Sequence, residues 1–197
     1  MTVVASPTSL QPGFPLRLAL LGAGTGVLTV VALSFIPNGA PWPTKLVASG
    51  GGFALLLAYA VRQAAGATWP RCAAVVVMTL AAWQCALSAG IWVHELLGQW
   101  TLVTRSAAAK MAGAGLVGGF VGSGLTAIGL ALAAGAFRRA RAVGATVALG
   151  TVLGLLLAGD DAVGTRDVLF WLLFVVWQAG IAWQVARVLV ERSSAEV

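Results

Sequence analysis

Six apolar stretches, each close to the length needed to cross a bilayer, take up most of the 197-residue chain. A hydrocarbon core about 30 Å thick requires roughly 20 apolar residues in a helix, and a helix satisfies all its backbone polar groups within one segment. The pattern predicts an all-α integral membrane protein with spans at about 16–36, 46–61, 72–96, 112–137, 143–158 and 168–190. Residues 1–15 and 191–197 then form short tails on a single six-helix domain, 16–190. Pro37, Pro41 and Pro43 are read as stopping helix 1, Pro70 as separating helices 2 and 3, and Gly159-Asp160-Asp161 as ending helix 5. Helices 2 and 5 are short and interrupted by glycine, which also suits tilted, broken or re-entrant segments.

The charges argue for orientation rather than for a polyanionic partner. Only 9% of residues are charged, against about 25% in a soluble domain. The net charge is +6, but the basic residues are scattered among apolar spans and form no basic helix face, so no nucleic-acid partner is expected. With six crossings, Arg17, Arg62, Arg71, Arg138, Arg139, Arg141, Arg187 and Arg192 share one side, and Lys45, Arg105, Lys110 and Arg166 the other. The positive-inside rule then puts both termini in the cytoplasm. Met1–Leu16 carries no basic n-region, so a short tail followed by a retained helix is expected instead of a cleaved signal peptide. Short loops and richness in Ala and Gly suit a bacterial inner membrane.

Several activities lack their residues. Cys72, Cys85 and the single His94 form no zinc- or haem-binding pattern, so neither metal nor cofactor is expected. Asp160, Asp161 and Asp167 fit no calcium loop and read as a solvated turn. No HExxH, GxSxG or paired intramembrane aspartate motif is present, and the protein is read as not an enzyme. Ion-coupled transport usually keeps a carboxylate or histidine within the bilayer, and none lies there.

Helices 3 and 6 resemble each other. Ala82-Trp83-Gln84-Cys85-Ala86 matches Val176-Trp177-Gln178-Ala179-Gly180, and a second tryptophan follows each, at Trp92 and Trp183. Gly26-Val27-Leu28-Thr29 likewise resembles Gly124-Leu125-Thr126. A three-helix unit repeated once would enter the membrane from opposite sides, giving the 3+3 inverted repeat of many transporters, with a site near the midplane.

Gln84 and Gln178 fall near mid-membrane, where an amide needs a partner. Together with Ser88 and Gln184 they are the candidate polar lining; interhelical glue is the simpler role for such glutamines. Gln84, Ser88, Trp92 and Glu95 follow 4, 4 and 3 spacing along one helical face, toward the outer surface. His94 and Glu95 adjoin at that end but point about 100° apart, which forbids a hydrogen-bonded dyad between them. Gly22 and Gly26, Gly115 and Gly119, Gly118 and Gly122, and Gly150 and Gly154 have the small-xxx-small spacing of close helix packing, and helix 4 reads as a central element or a dimer face. Two functional classes remain: a passive small-solute permease, which the suspected repeat favours, and a non-catalytic subunit, assembly factor or regulator. The expected partners are the lipid bilayer and either a second copy of the chain or another membrane protein.

Overall fold

The computed structural model describes residues 13–37, 39–99, 106–159 and 168–193. Among these the regular elements are all helical: α1 (Phe14–Phe35), α2 (Trp42–Ala65), α3 (Trp69–Gly98), α4 (Ala107–Ala133), α5 (Ala140–Gly154) and α6 (Val168–Ser193), with 3-10 turns at Gly135–Arg138 and Leu155–Ala158. Six segments are long and apolar enough to cross a membrane, so the chain has the form of a multi-pass helical membrane protein. Large apolar side chains such as Leu20, Leu28, Leu55, Val77 and Leu132 face outward from the bundle, where a water-soluble protein would place polar ones.

The prolines act differently from their sequence reading. Pro15, Pro43 and Pro70 each sit in the first turn of a helix, α1, α2 and α3 respectively. There the missing N–H has no intrahelical acceptor to lose and the fixed φ suits the helix. As a result α2 begins at Trp42, not near Leu46, and runs for 24 residues. Its end is a left-handed glycine cap: Gly66 takes φ 60°, and the N–H groups of Gly66 and Ala67 both reach Val61 O, the latter at 3.3 Å. The stretch Ala140–Ala158 is 19 residues long once the 3-10 turn after α5 is included. Helix 4 stops at Ala133, earlier than expected, because Gly135–Arg138 tightens into the other 3-10 turn. Ser106 caps its start, accepting from the Ala109 N–H at 3.1 Å.

The most extensive packing joins chain neighbours, α1 to α2 and so on to α6, and α6 packs back against α1. The helices thus close into a ring in sequence order, with a lesser α2–α6 contact across it. Glycines make the closest approaches. Gly22 faces the backbone of Gln178 and Gly26 that of Val175, so α1 and α6 run antiparallel. Gly118 and Gly122 face Ala86 of α3, while Gly115 meets Gly154, and Gly119 meets Gly150, on α5. None of these positions has room for a Cβ without displacing a neighbour.

The two ends of the ring differ. Arg62, Arg71, Arg138, Arg139, Arg141 and Arg187 lie exposed at one, the arginine end; Lys45, His94, Glu95 and Lys110 lie at the other. The buried core sits toward the arginine end, where Leu18, Phe53, Val61, Val75, Leu130, Phe137, Ala142, Ile181 and Val185 draw on all six helices.

Candidate functional site

Toward the Glu95 end the helices part and leave a cavity of about 390 Å³ between α3, α4, α6 and the turn after α5. On α3 it runs from Thr79 to Glu95, about 24 Å of helix at 1.5 Å per residue. One wall is nearly without side chains: Ala82, Ala86 and Gly90 of α3 face Gly115, Gly118 and Gly122 of α4. The opposite wall is aromatic. Trp83 stacks on Phe174 at 5.1 Å with 11° between the planes, and lies 6.0 Å from Trp177. Phe170 continues this wall, 5.3 Å from Phe174. His94, half-buried, and Glu95, exposed, stand at the end away from Thr79.

Three polar atoms near the level of Thr79 lack partners, each shut off from solvent. Thr79 is buried and its Oγ1 makes no hydrogen bond, although a helical threonine commonly donates to the carbonyl one turn back. One turn along the same face, the Trp83 Nε1–H is also unpartnered; it lies over Gly50, where a Cβ would come within 2.9 Å of it. Thr126 Oγ1, on α4, is a third. Each such group in a low-dielectric interior costs about 1–3 kcal/mol.

The two glutamines, Gln84 and Gln178, are separated. Gln178 is fully buried in the α1–α6 seam: Thr25 Oγ1 donates to its Oε1 at 2.7 Å, and its Nε2 donates to Thr29 Oγ1 at 3.3 Å. Thr29 Oγ1 in turn donates to Ser49 O of α2 at 3.0 Å, so one network ties three helices. Gln84 lies on the face of α3 turned away from α4, accepts from Trp42 Nε1 at 2.9 Å and donates to Ser88 Oγ at 3.2 Å. Ser88 and Trp92, on the same face, are exposed. Neither Gln84, Ser88, Gln178 nor Gln184 lines the cavity, and Gln184 is buried within α6 packing.

Thr79, Trp83, Phe174 and Trp177, and the pair Thr25 and Thr29, were not among the candidates drawn from sequence. The available signal was the 79, 83, 86, 90, 94 spacing on α3, one helical face of small and aromatic residues ending in histidine. Asp160, Asp161 and Asp167 lie outside the described residues. Comparison with protein-family models, with curated proteins and with solved structures finds no match.

Proposed function

We propose that this protein is a passive permease for a small neutral solute, seated in a bacterial inner membrane with both termini cytoplasmic. The cavity carries this reading: it leads from the Glu95 end toward mid-membrane, and among the described residues its walls carry no charged group before His94 and Glu95. Its volume falls in the range of small-molecule sites, about 300–1,000 Å³. The arginine-rich end would face the cytoplasm by the positive-inside rule, so solute would enter from outside. The packed core at the arginine end would then be the barrier of a resting state.

The ring order weighs against the 3+3 inverted repeat. A two-fold axis in the membrane plane turns a ring over and reverses the sense in which its helices follow one another. Six helices in consecutive order run in a single sense, so the α1–α3 half cannot be laid on the α4–α6 half by that operation. The environments of Gln84 and Gln178 differ accordingly, and the permease reading stands on the cavity without the repeat.

The test is solute flux in proteoliposomes, followed by stopped-flow light scattering with neutral solutes of graded polarity. At least one solute is expected to equilibrate faster than in protein-free liposomes, and Leu173→Trp, which fills the cavity from α6, is expected to abolish the gain. Equal rates for all solutes with and without protein would overturn the reading.

One observation favours the other class, a subunit of a larger membrane assembly. The exposed α3 face carries Gln84, Ser88 and Trp92, and hydrogen-bonding groups on a lipid-facing surface suit a helix partner. Stoichiometric recovery of another membrane protein after crosslinking in native membranes would support it.

A further inference from the structure

The turn that joins α4 to α5 gathers more basic charge than the described residues around it balance. We infer that this turn and the outward face of α5 form a binding site for an anionic phospholipid, with its phosphate at Arg138, Arg139 and Arg141 and an acyl chain along Gly144, Ala145, Ala148 and Val152. The inference needs the bundle to span a bilayer and is independent of the permease reading.

Charge comes first. Arg138 closes the 3-10 turn, Arg139 is the N-cap residue of α5 and Arg141 lies in its first turn, and all three are exposed. Arg192 of α6 brings its guanidinium against the same turn, where a Cβ on Gly135 would lie 2.8 Å from its Nη1. Of the described carboxylates only Glu191 is at this end, and it pairs with Arg187 at 3.1 Å. The side chains of Arg139 and Arg141 make no hydrogen bond or ion pair with the described residues, whereas Arg62 is settled on Ala67 O and the ring of Trp69. The start of α5 has no side-chain cap, so its N–H groups add partial positive charge at the same place. A phosphate answers the guanidinium groups and the helix end together.

The face of α5 that leads away from the cluster gives a chain somewhere to lie. Arg141, Gly144, Ala145, Ala148 and Val152 are all exposed and share one side of the helix. Val152 lies about 16 Å from Arg141 at 1.5 Å per residue, close to half of a hydrocarbon core about 30 Å thick. Elsewhere the outward side chains are large, as at Leu20, Leu28, Leu55 and Leu132. Here they are a glycine and two alanines, and a Cβ on Gly144 would meet nothing within 4 Å, so its smallness serves no contact within the described chain. Small residues at this spacing also suit a helix partner. A second copy lies the same way across the membrane, and two-fold pairing on this face would set Arg141 against the Arg141 of the copy, like charge on like. An anionic lipid brings the opposite sign.

The experiment is a titration of the whole chain in mild detergent with phosphatidylglycerol and with phosphatidylcholine of the same acyl chains, bound lipid being counted by native mass spectrometry. Phosphatidylglycerol is expected to bind about 10-fold more tightly or better. Arg139→Gln combined with Arg141→Gln is expected to weaken it about 10- to 30-fold and to leave phosphatidylcholine unchanged. Arg17→Gln combined with Arg71→Gln, the same loss of charge at exposed positions elsewhere on this end, is expected to change neither. Gly144→Leu keeps every arginine but fills the place of the chain, and is expected to weaken phosphatidylglycerol. Inorganic phosphate, set against chloride at equal ionic strength, is expected not to displace it. Equal binding of the two lipids, equal effects of the two arginine pairs, indifference to Gly144→Leu, or displacement by phosphate would each overturn the inference. So would a dimer that Gly144→Leu dissociates, which would give the face to a second copy. The permease reading stands or falls on its own flux test.

Discussion

At the arginine end Phe53, Leu57, Val61, Leu130, Phe137, Ile181 and Val185 fill the space between the helices, whereas at the Glu95 end the bundle leaves about 390 Å³ open. Hydropathy does not separate the two regions, since both are built from apolar residues. Size and placement do. Large side chains point inward at the arginine end; at the other, α3 and α4 turn glycine and alanine toward the same space and so draw their backbones together without filling what lies in front of them. Lipid tails are as apolar as leucine, so nothing like the exclusion of water drives the second region to collapse, and packing contacts alone decide what closes. A hollow can therefore persist next to a dense core in one small bundle.

The largest contrast is expected from truncating one side chain in each region. Phe53→Ala removes a fully buried ring that packs edge-on to Trp177 at 5.8 Å, and should cost about 4 kcal/mol of unfolding free energy. Leu173→Ala, beside space already empty, should cost less than about 1 kcal/mol. Similar losses measured by denaturation in mixed micelles would mean that the two ends are packed alike.

Next in size is the glycine seam behind the cavity. Gly119→Leu drives a side chain into the backbone of Gly150, which cannot give, and is expected to cost about 3 kcal/mol and to separate α4 from α5. Unchanged thermal stability and an unchanged elution volume in detergent would remove the claim that this contact supports the hollow region.

The glutamines provide a smaller difference. Gln178→Leu removes the amide's bonds to Thr25 and Thr29 in the α1–α6 seam, whose hydroxyls keep Gly22 O and Ser49 O as acceptors, and should cost about 1 kcal/mol, while Gln84→Leu, on an outward face, should be close to neutral. The reverse order would put the functional weight on the α3 surface and favour the assembly reading. The smallest effect is one of access. In the unaltered protein Cys85, exposed, is expected to react with an apolar maleimide while Cys72, buried, stays protected until unfolding. Rapid modification of both would show that the arginine end opens under native conditions.

The spans were legible because a run of some 20 apolar residues has few alternatives. Their starts were less so: Pro43 and Pro70 have the same residue type whether they stop one helix or begin the next, and only the chain's path decides. The faces were hardest. In water a polar stripe marks the outside, but inside a bilayer Gln84, Ser88 and Trp92 stand out against every apolar neighbour without saying which way they point. The cavity wall of Ala86, Gly90, Gly118 and Gly122 resembles any membrane helix in composition, and Thr79 became notable only when its hydroxyl was seen to lack an acceptor. Gln178 was found from sequence; its partners Thr25 and Thr29, 153 and 149 residues away, follow from no local pattern.

That distance bears on how the protein is made. The ring is sealed between its first and last helices, so α1 must wait in the membrane until α6 has left the ribosome. A chain released early would show the lipid a glycine face at Gly22 and Gly26 and the hydroxyls of Thr25 and Thr29, a surface that invites the wrong helix or the attention of a membrane protease. The contact that closes the ring is thus the last that synthesis makes available, and the buried amide of Gln178 lies within it.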